Sequence, residues 1–141
     1  MIYPQKFIVE PSKRTPWIIM EPGRIFIMGR SIPENPGDFY RPVQQWAAGY
    51  ANKHTGKSTI QVGFEYLNTS STKWIYAILK EFSEMRHFDI NTSITWYYEE
   101  GDEDMNELGH IMKSLVNCHF KIVEVDDMGM ARYDKILSVS V

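Results

Sequence analysis

The sequence predicts an α/β fold: a single mixed, mostly parallel β-sheet with an antiparallel hairpin at its N-terminal end and about three helices. Three observations carry that prediction. Two apolar runs, PWIIM and RIFIM, flank a Pro-Gly turn near the start of the chain. Beyond the turn, the apolar spacing changes repeatedly between two and three-to-four, the strand and helix periods. The helical stretches are long enough to serve as crossovers, which join parallel neighbours.

The hairpin comes first, with strands predicted over 16–20 and 24–29 around Glu21-Pro22-Gly23-Arg24. Proline presets one turn angle there and glycine accepts the positive one of a type II turn. Asn35 is placed to cap a helix over Pro36–Lys53, with Pro36 at its first position and Asp38 near the positive end of its dipole. Phe39, Val43, Trp46 and Tyr50 then share one buried face. In the 58–66 segment, Ile60, Val62, Phe64 and Tyr66 alternate as in a strand. A second helix begins near Ser71, with Trp74, Ile75, Ile78, Leu79, Phe82 and Met85 in period. Strand chemistry returns over 92–100, and a third helix follows with Met105, Leu108, Met112 and Leu115 inward. A final strand is predicted over 119–125, and KILSV in the tail reads as a short edge strand. The resulting order, β-β-α-β-α-β-α-β, puts helices mainly on one side, or on both unequally. It puts functional loops beyond the carboxyl ends of the parallel strands.

Composition removes several functions. With 141 residues and 43% hydrophobic content there is one core; we assign residues 1–126 to one domain and 127–141 to a C-terminal tail. A net charge of −3 with scattered lysines and arginines argues against nucleic-acid binding. Cys118 is the sole cysteine, so an intramolecular disulfide is excluded and a reducing compartment is favoured. Neither a secretory signal nor an 18-residue apolar stretch is present, which predicts a cytoplasmic protein without membrane insertion.

Several motifs fail on their own chemistry. HTGKST ends like a phosphate-binding loop but has Ala51 where glycine is required, and it leads into a strand rather than a helix. Asp102, Asp104 and Asn106 have calcium-loop spacing, yet Glu107 occupies the glycine position and Lys113 the bidentate carboxylate position. An acidic first helical turn explains them better. His54, His87, His110 and His119 lack paired metal-ligand spacing, so neither metal nor other cofactor is expected. The sequons at Asn68 and Asn91 carry little weight without an export signal. A serine nucleophile at Ser70 would need glycines where Asn68 and Thr72 stand.

One stretch is left, YLNTSSTKW over 66–74, where a strand becomes a helix. One Asn, Ser or Thr suffices to cap a helix. The surplus hydroxyls are what a kinase uses, because a phosphate adds about −1.5 to −2 charges and three acceptor oxygens. Capping and phosphorylation are both open on this chemistry.

GRSIPENPGDFYRPVQQW, YLNTSSTK and WYYEEGDEDMNELG together resemble the SiaC-type family of bacterial regulatory phosphoproteins, over most of residues 7–126. Pro33-Glu34-Asn35, Trp46, and Tyr66 to Ser71 with Lys73 carry the match. The resemblance implies a fold similar to the anti-sigma-factor-antagonist (STAS) domain and no enzymatic activity. It implies Thr69 as phosphoacceptor, with Ser70 as secondary candidate, served by a protein kinase and a PP2C-type phosphatase. It further implies that the unphosphorylated form binds a diguanylate cyclase, linking the chain to cyclic di-GMP signalling and biofilm. Glu34, Asn35, Asn68, Ser70, Ser71 and Lys73 are the expected partner-binding residues. Two rivals are a small-molecule-binding module of the same fold, with a cavity among Trp46, Trp74, Trp96 and Tyr97, and, behind it, a serine hydrolase using Ser70 through an unrecognised triad.

Overall fold

The computed structural model describes residues 5–53, 56–84 and 92–139. Its elements are β1 (Phe7–Val9), β2 (Trp17–Glu21), β3 (Arg24–Ser31), α1 (Pro36–Lys53), β4 (Ser58–Leu67), α2 (Thr69–Ser83), β5 (Thr92–Glu99), α3 (Glu103–Leu115), β6 (His119–Val125) and α4 (Met130–Ser138). The six strands form one sheet in chain order, antiparallel from β1 to β3 and parallel from β3 to β6. Gly23 takes φ 90° at the β2–β3 turn, and its amide donates to the Tyr50 hydroxyl at 2.8 Å. That bond ties the hairpin to the last turns of α1.

Sheet order equal to chain order has a consequence for the helices. Each parallel strand is followed by a crossover to its neighbour, and right-handed crossovers taken in one direction all fall on one face. Tyr40, Val43 and Tyr50 of α1, Ile75, Leu79 and Phe82 of α2, and Met105 and Met112 of α3 share one core with Ile27, Val62 and Trp96 of the sheet. Each fully buried apolar side chain there contributes about 1.5–3 kcal/mol. The opposite face carries a smaller cluster, in which Tyr133 and Ile136 of α4 and Met128 before it cover Phe26 and Met28.

Four elements or residues differ from the sequence reading. The segment expected as an edge strand, 135–139, lies almost wholly within α4. KILSV is too short to separate the two periods, and Tyr133, one helical turn ahead of Ile136, decides for the helix. Four helices therefore stand where about three were expected. Leu115 is 50% exposed rather than inward, because the buried line of α3 runs Met105, Gly109, Met112 and on to Val116. Tyr66 is likewise 50% exposed. The β3–β4 register passes from Gly29↔Phe64 to Arg30↔Tyr66, leaving Glu65 as an extra residue. Such a bulge exchanges the two faces of a strand, so Leu67 turns to the core instead. β1 was not foreseen: three residues between prolines carry almost no periodic signal. Met85, His54, His87 and Asn91 lie outside the described residues.

Candidate functional site

β3 and β4 are parallel neighbours, so their carboxyl ends lie side by side and the starts of α1 and α2 rise from adjacent loops. The Asn68 amide donates to the Ser31 carbonyl at 3.0 Å, which ties the two loops together. Asn68 is extended, with φ −78° and ψ 166°, and caps α2: its Oδ1 accepts from the Ser71 amide at 2.9 Å. Its carbonyl accepts from both the amide and the hydroxyl of Thr72, at 3.1 and 3.0 Å. One residue thus performs the capping. Thr69 and Ser70, the first two helical residues, are exposed and belong to the turn whose amides have no intrahelical acceptor.

Across from them, Asn35 caps α1 by accepting from the Asp38 amide at 3.1 Å, and Glu34 beside it is exposed. Lys73 is exposed one turn beyond Thr69. Trp74 of α2 stacks against Tyr40 of α1, with ring centroids 6.5 Å apart, and carries the Arg41 guanidinium 5.9 Å over its ring. The two helix starts therefore form one surface, with two capped N-termini, two exposed hydroxyls and cations at Lys73 and Arg41.

Ser71 does not belong to that surface. It is 0% exposed, and its hydroxyl accepts from the Ser31 hydroxyl at 2.9 Å. Ser31 in turn hydrogen-bonds the Tyr40 hydroxyl. At the third helical position the side chain turns under the helix, so Ser71, expected among the partner-binding residues, is buried and hydrogen-bonded internally. Burial is the main cause that pushes the Tyr40 hydroxyl up to about 12, against which the Ser31 and Ser71 hydrogen bonds act. Ser31, Tyr40 and Arg41 were missed in the sequence because their partners lie on other elements and no local spacing announces them.

The aromatic residues expected around a ligand cavity have separate places. Trp96 is buried, with its indole N–H donating to the Met105 carbonyl at 3.0 Å, whereas Tyr97, the next residue, faces the α4 cluster on the other side of the sheet. Trp46 stacks on Tyr50 within the main core. Asp102, from the calcium-like stretch, caps α3 by accepting from the Met105 amide at 3.1 Å. Among the described residues there is no cluster of three or more His, Cys, Asp or Glu that could hold a metal. No described helix is long and apolar enough to cross a membrane.

A mixed sheet with its connecting helices on one face, carrying a capped hydroxyl-rich helix start, is the architecture of a regulatory protein of SiaC type. The chain belongs to the SiaC family of regulatory phosphoproteins, whose model matches residues 9–125. It is 27% identical to an uncharacterized protein of Pseudomonas aeruginosa strain UCBPP-PA14 over 105 residues, 74% of this chain and 83% of the relative. Its fold is similar to that of SiaC of Pseudomonas aeruginosa, with TM-score 0.77 and 24% identity, covering 86% of this chain and 99% of SiaC. It is also similar to the crystal structure of the diguanylate cyclase SiaD in complex with its activator SiaC, with TM-score 0.75, 24% identity, and coverage of 84% and 99%.

Proposed function

We propose that this chain is a phosphorylation-switched regulator whose acceptor is Thr69 and whose unphosphorylated form binds and activates a diguanylate cyclase. The observation that carries the reading is the division of labour at the start of α2: Asn68 caps the helix, which leaves the Thr69 hydroxyl exposed and unneeded for folding. Membership of a family of regulatory phosphoproteins, and the complex of SiaC with a diguanylate cyclase, support the same reading. The chain itself performs no catalysis. A kinase supplies the phosphate, a PP2C-type phosphatase removes it, and both work in the cytoplasm.

The bare surface around Glu34, Asn35, Asn68, Thr69, Ser70 and Lys73 is close to neutral and docks the effector. Phosphate on Thr69 brings about −1.5 to −2 charges. The free amides of the first turn, the helix dipole and Lys73 one turn away hold that charge in place on the folded protein. An effector surface that covers it must strip its water, at a cost of several kcal/mol. A penalty of about 3 kcal/mol weakens binding about a hundredfold.

The test is peptide mass spectrometry of the protein from its native cells, followed by titration of a cognate diguanylate cyclase with bare and phosphorylated chain. Phosphate at Thr69, absent from Thr69→Ala, and affinity about a hundredfold lower for the phosphorylated form are expected. Equal affinity of both forms, or no phosphate within 68–72 under varied growth conditions, overturns the proposal.

A further inference from the structure

Helix α4 lies beyond the family match, which ends at residue 125, yet it is fastened to the strand that leads into Thr69. Glu65 is the extra residue of the β4 bulge, and its Oε2 accepts a 2.7 Å hydrogen bond from the Tyr133 hydroxyl of α4. Burial first, and then the hydrogen bond with Glu65, push the Tyr133 hydroxyl well above the ordinary tyrosine range, so it stays a donor at physiological pH. The helix is held on either side of this contact. Arg24 donates from Nη2 to the Leu137 carbonyl at 2.6 Å, and the Met128 amide donates to Glu99 Oε1 at 2.7 Å. Gly63 makes room for the approach, since a Cβ there would lie 2.7 Å from Met128 Cε.

We propose that α4 is a positioning element for the Thr69 loop: Tyr133, acting through Glu65, holds the bulge that turns Tyr66 outward and fixes the strand end presenting Asn68 and Thr69. The regulatory meaning of this contact rests on Thr69 being the acceptor. A bulge carries an unpaired residue and re-aims its neighbours, so a hydrogen bond from outside the sheet decides how firmly it is set. Any partner or modification that lifts α4 is then read at Thr69.

Hydrogen exchange on the full chain tests this without reference to phosphate. The amide of Asn68, bonded to the Ser31 carbonyl, and those of Ser71 and Thr72, both bonded to Asn68, report its order. Tyr133→Phe keeps the ring and removes the donor; Glu65→Leu removes the acceptor and leaves Tyr133 intact; Glu65→Gln keeps an acceptor. The expected result is exchange about fivefold faster at these amides in Tyr133→Phe and Glu65→Leu, near the parent rate in Glu65→Gln, and unchanged in α3. Loss of protection confined to residues 130–138, or no change in either variant, overturns the proposal. Whether Thr69 carries phosphate is decided by the mass spectrum of the parent protein, so either reading can fail while the other stands.

Discussion

The buried hydroxyl of Ser71 accepts from that of Ser31 at 2.9 Å, joining the start of α2 to the end of β3, while Ser70 beside it is exposed. Two neighbouring serines should therefore respond oppositely to the same substitution. Ser71→Ala strips a partner from a buried hydroxyl and should cost about 1–3 kcal/mol. Ser70→Ala should stay within about 0.5 kcal/mol. Urea unfolding checks both, and the midpoint should fall for Ser71→Ala with an unchanged slope.

Asn68 caps α2 through its side chain, and Thr69 does not. Asn68→Ala should lower stability by about 1 kcal/mol, whereas Asn68→Ser should recover most of it. Thr69→Glu, with a carboxylate in the first turn, should melt at or slightly above the parent temperature in low salt and lose that advantage as salt screens it. A clear loss of stability in Thr69→Glu would show that charge at this position disrupts the fold.

Gly109 lies in the middle of α3, where helix propensity favours alanine by about 1 kcal/mol. Packing reverses the sign. A Cβ there would lie 2.6 Å from Trp96 Cδ1 and 2.8 Å from Nε1, and the ring is fixed by its bond to the Met105 carbonyl. Gly109→Ala should destabilise by about 1–3 kcal/mol. Thermal unfolding together with the near-ultraviolet signal of Trp96 will report it.

The Tyr40 hydroxyl ionises at about 12 in the folded chain because it is buried, against an ordinary value of 10.0. Between pH 10 and 12 the unfolded chain loses this proton and the folded chain keeps it. Stability from Tyr40 is thus complete below about pH 10 and falls as pH rises through about 12, by about 3 kcal/mol. Tyr40→Phe should flatten that part of the alkaline unfolding profile, apart from the contributions of Tyr133 and Cys118, which are also raised.

The parts of the fold legible in the sequence were those written in local chemistry. The Pro22-Gly23 turn, the Asn35 cap and the alternation of β4 up to Phe64 depend on residues a few positions apart. The rest depended on distant partners. Alternation alone puts Tyr66 on the core face, because the bulge at Glu65 is visible only against β3. The burial of Ser71 leaves no local trace, because its partner Ser31 lies 40 residues earlier. For KILSV, the helix is decided by Tyr133 and Ile136 packing on Phe26 and Met28, which no window around the tail contains. The exposure of Thr69 and Ser70 follows the capping logic, whereas the Arg41–Trp74 pair had no sequence signature.

A sheet whose strands stand in the order of synthesis has a kinetic consequence. Each strand from β2 onward pairs with the strand made just before it, so no strand must insert between two that have already joined. Sheet assembly can keep pace with the emerging chain, and the loop-closure cost of each pairing is limited to one hairpin or one crossover. Fraying runs the other way, inward from β1 and β6. The body of the strand that carries the Thr69 loop, residues 58–63, is paired on both sides and is reached late. The end of that strand beneath Thr69, paired with β3 alone, can loosen while its body stays formed.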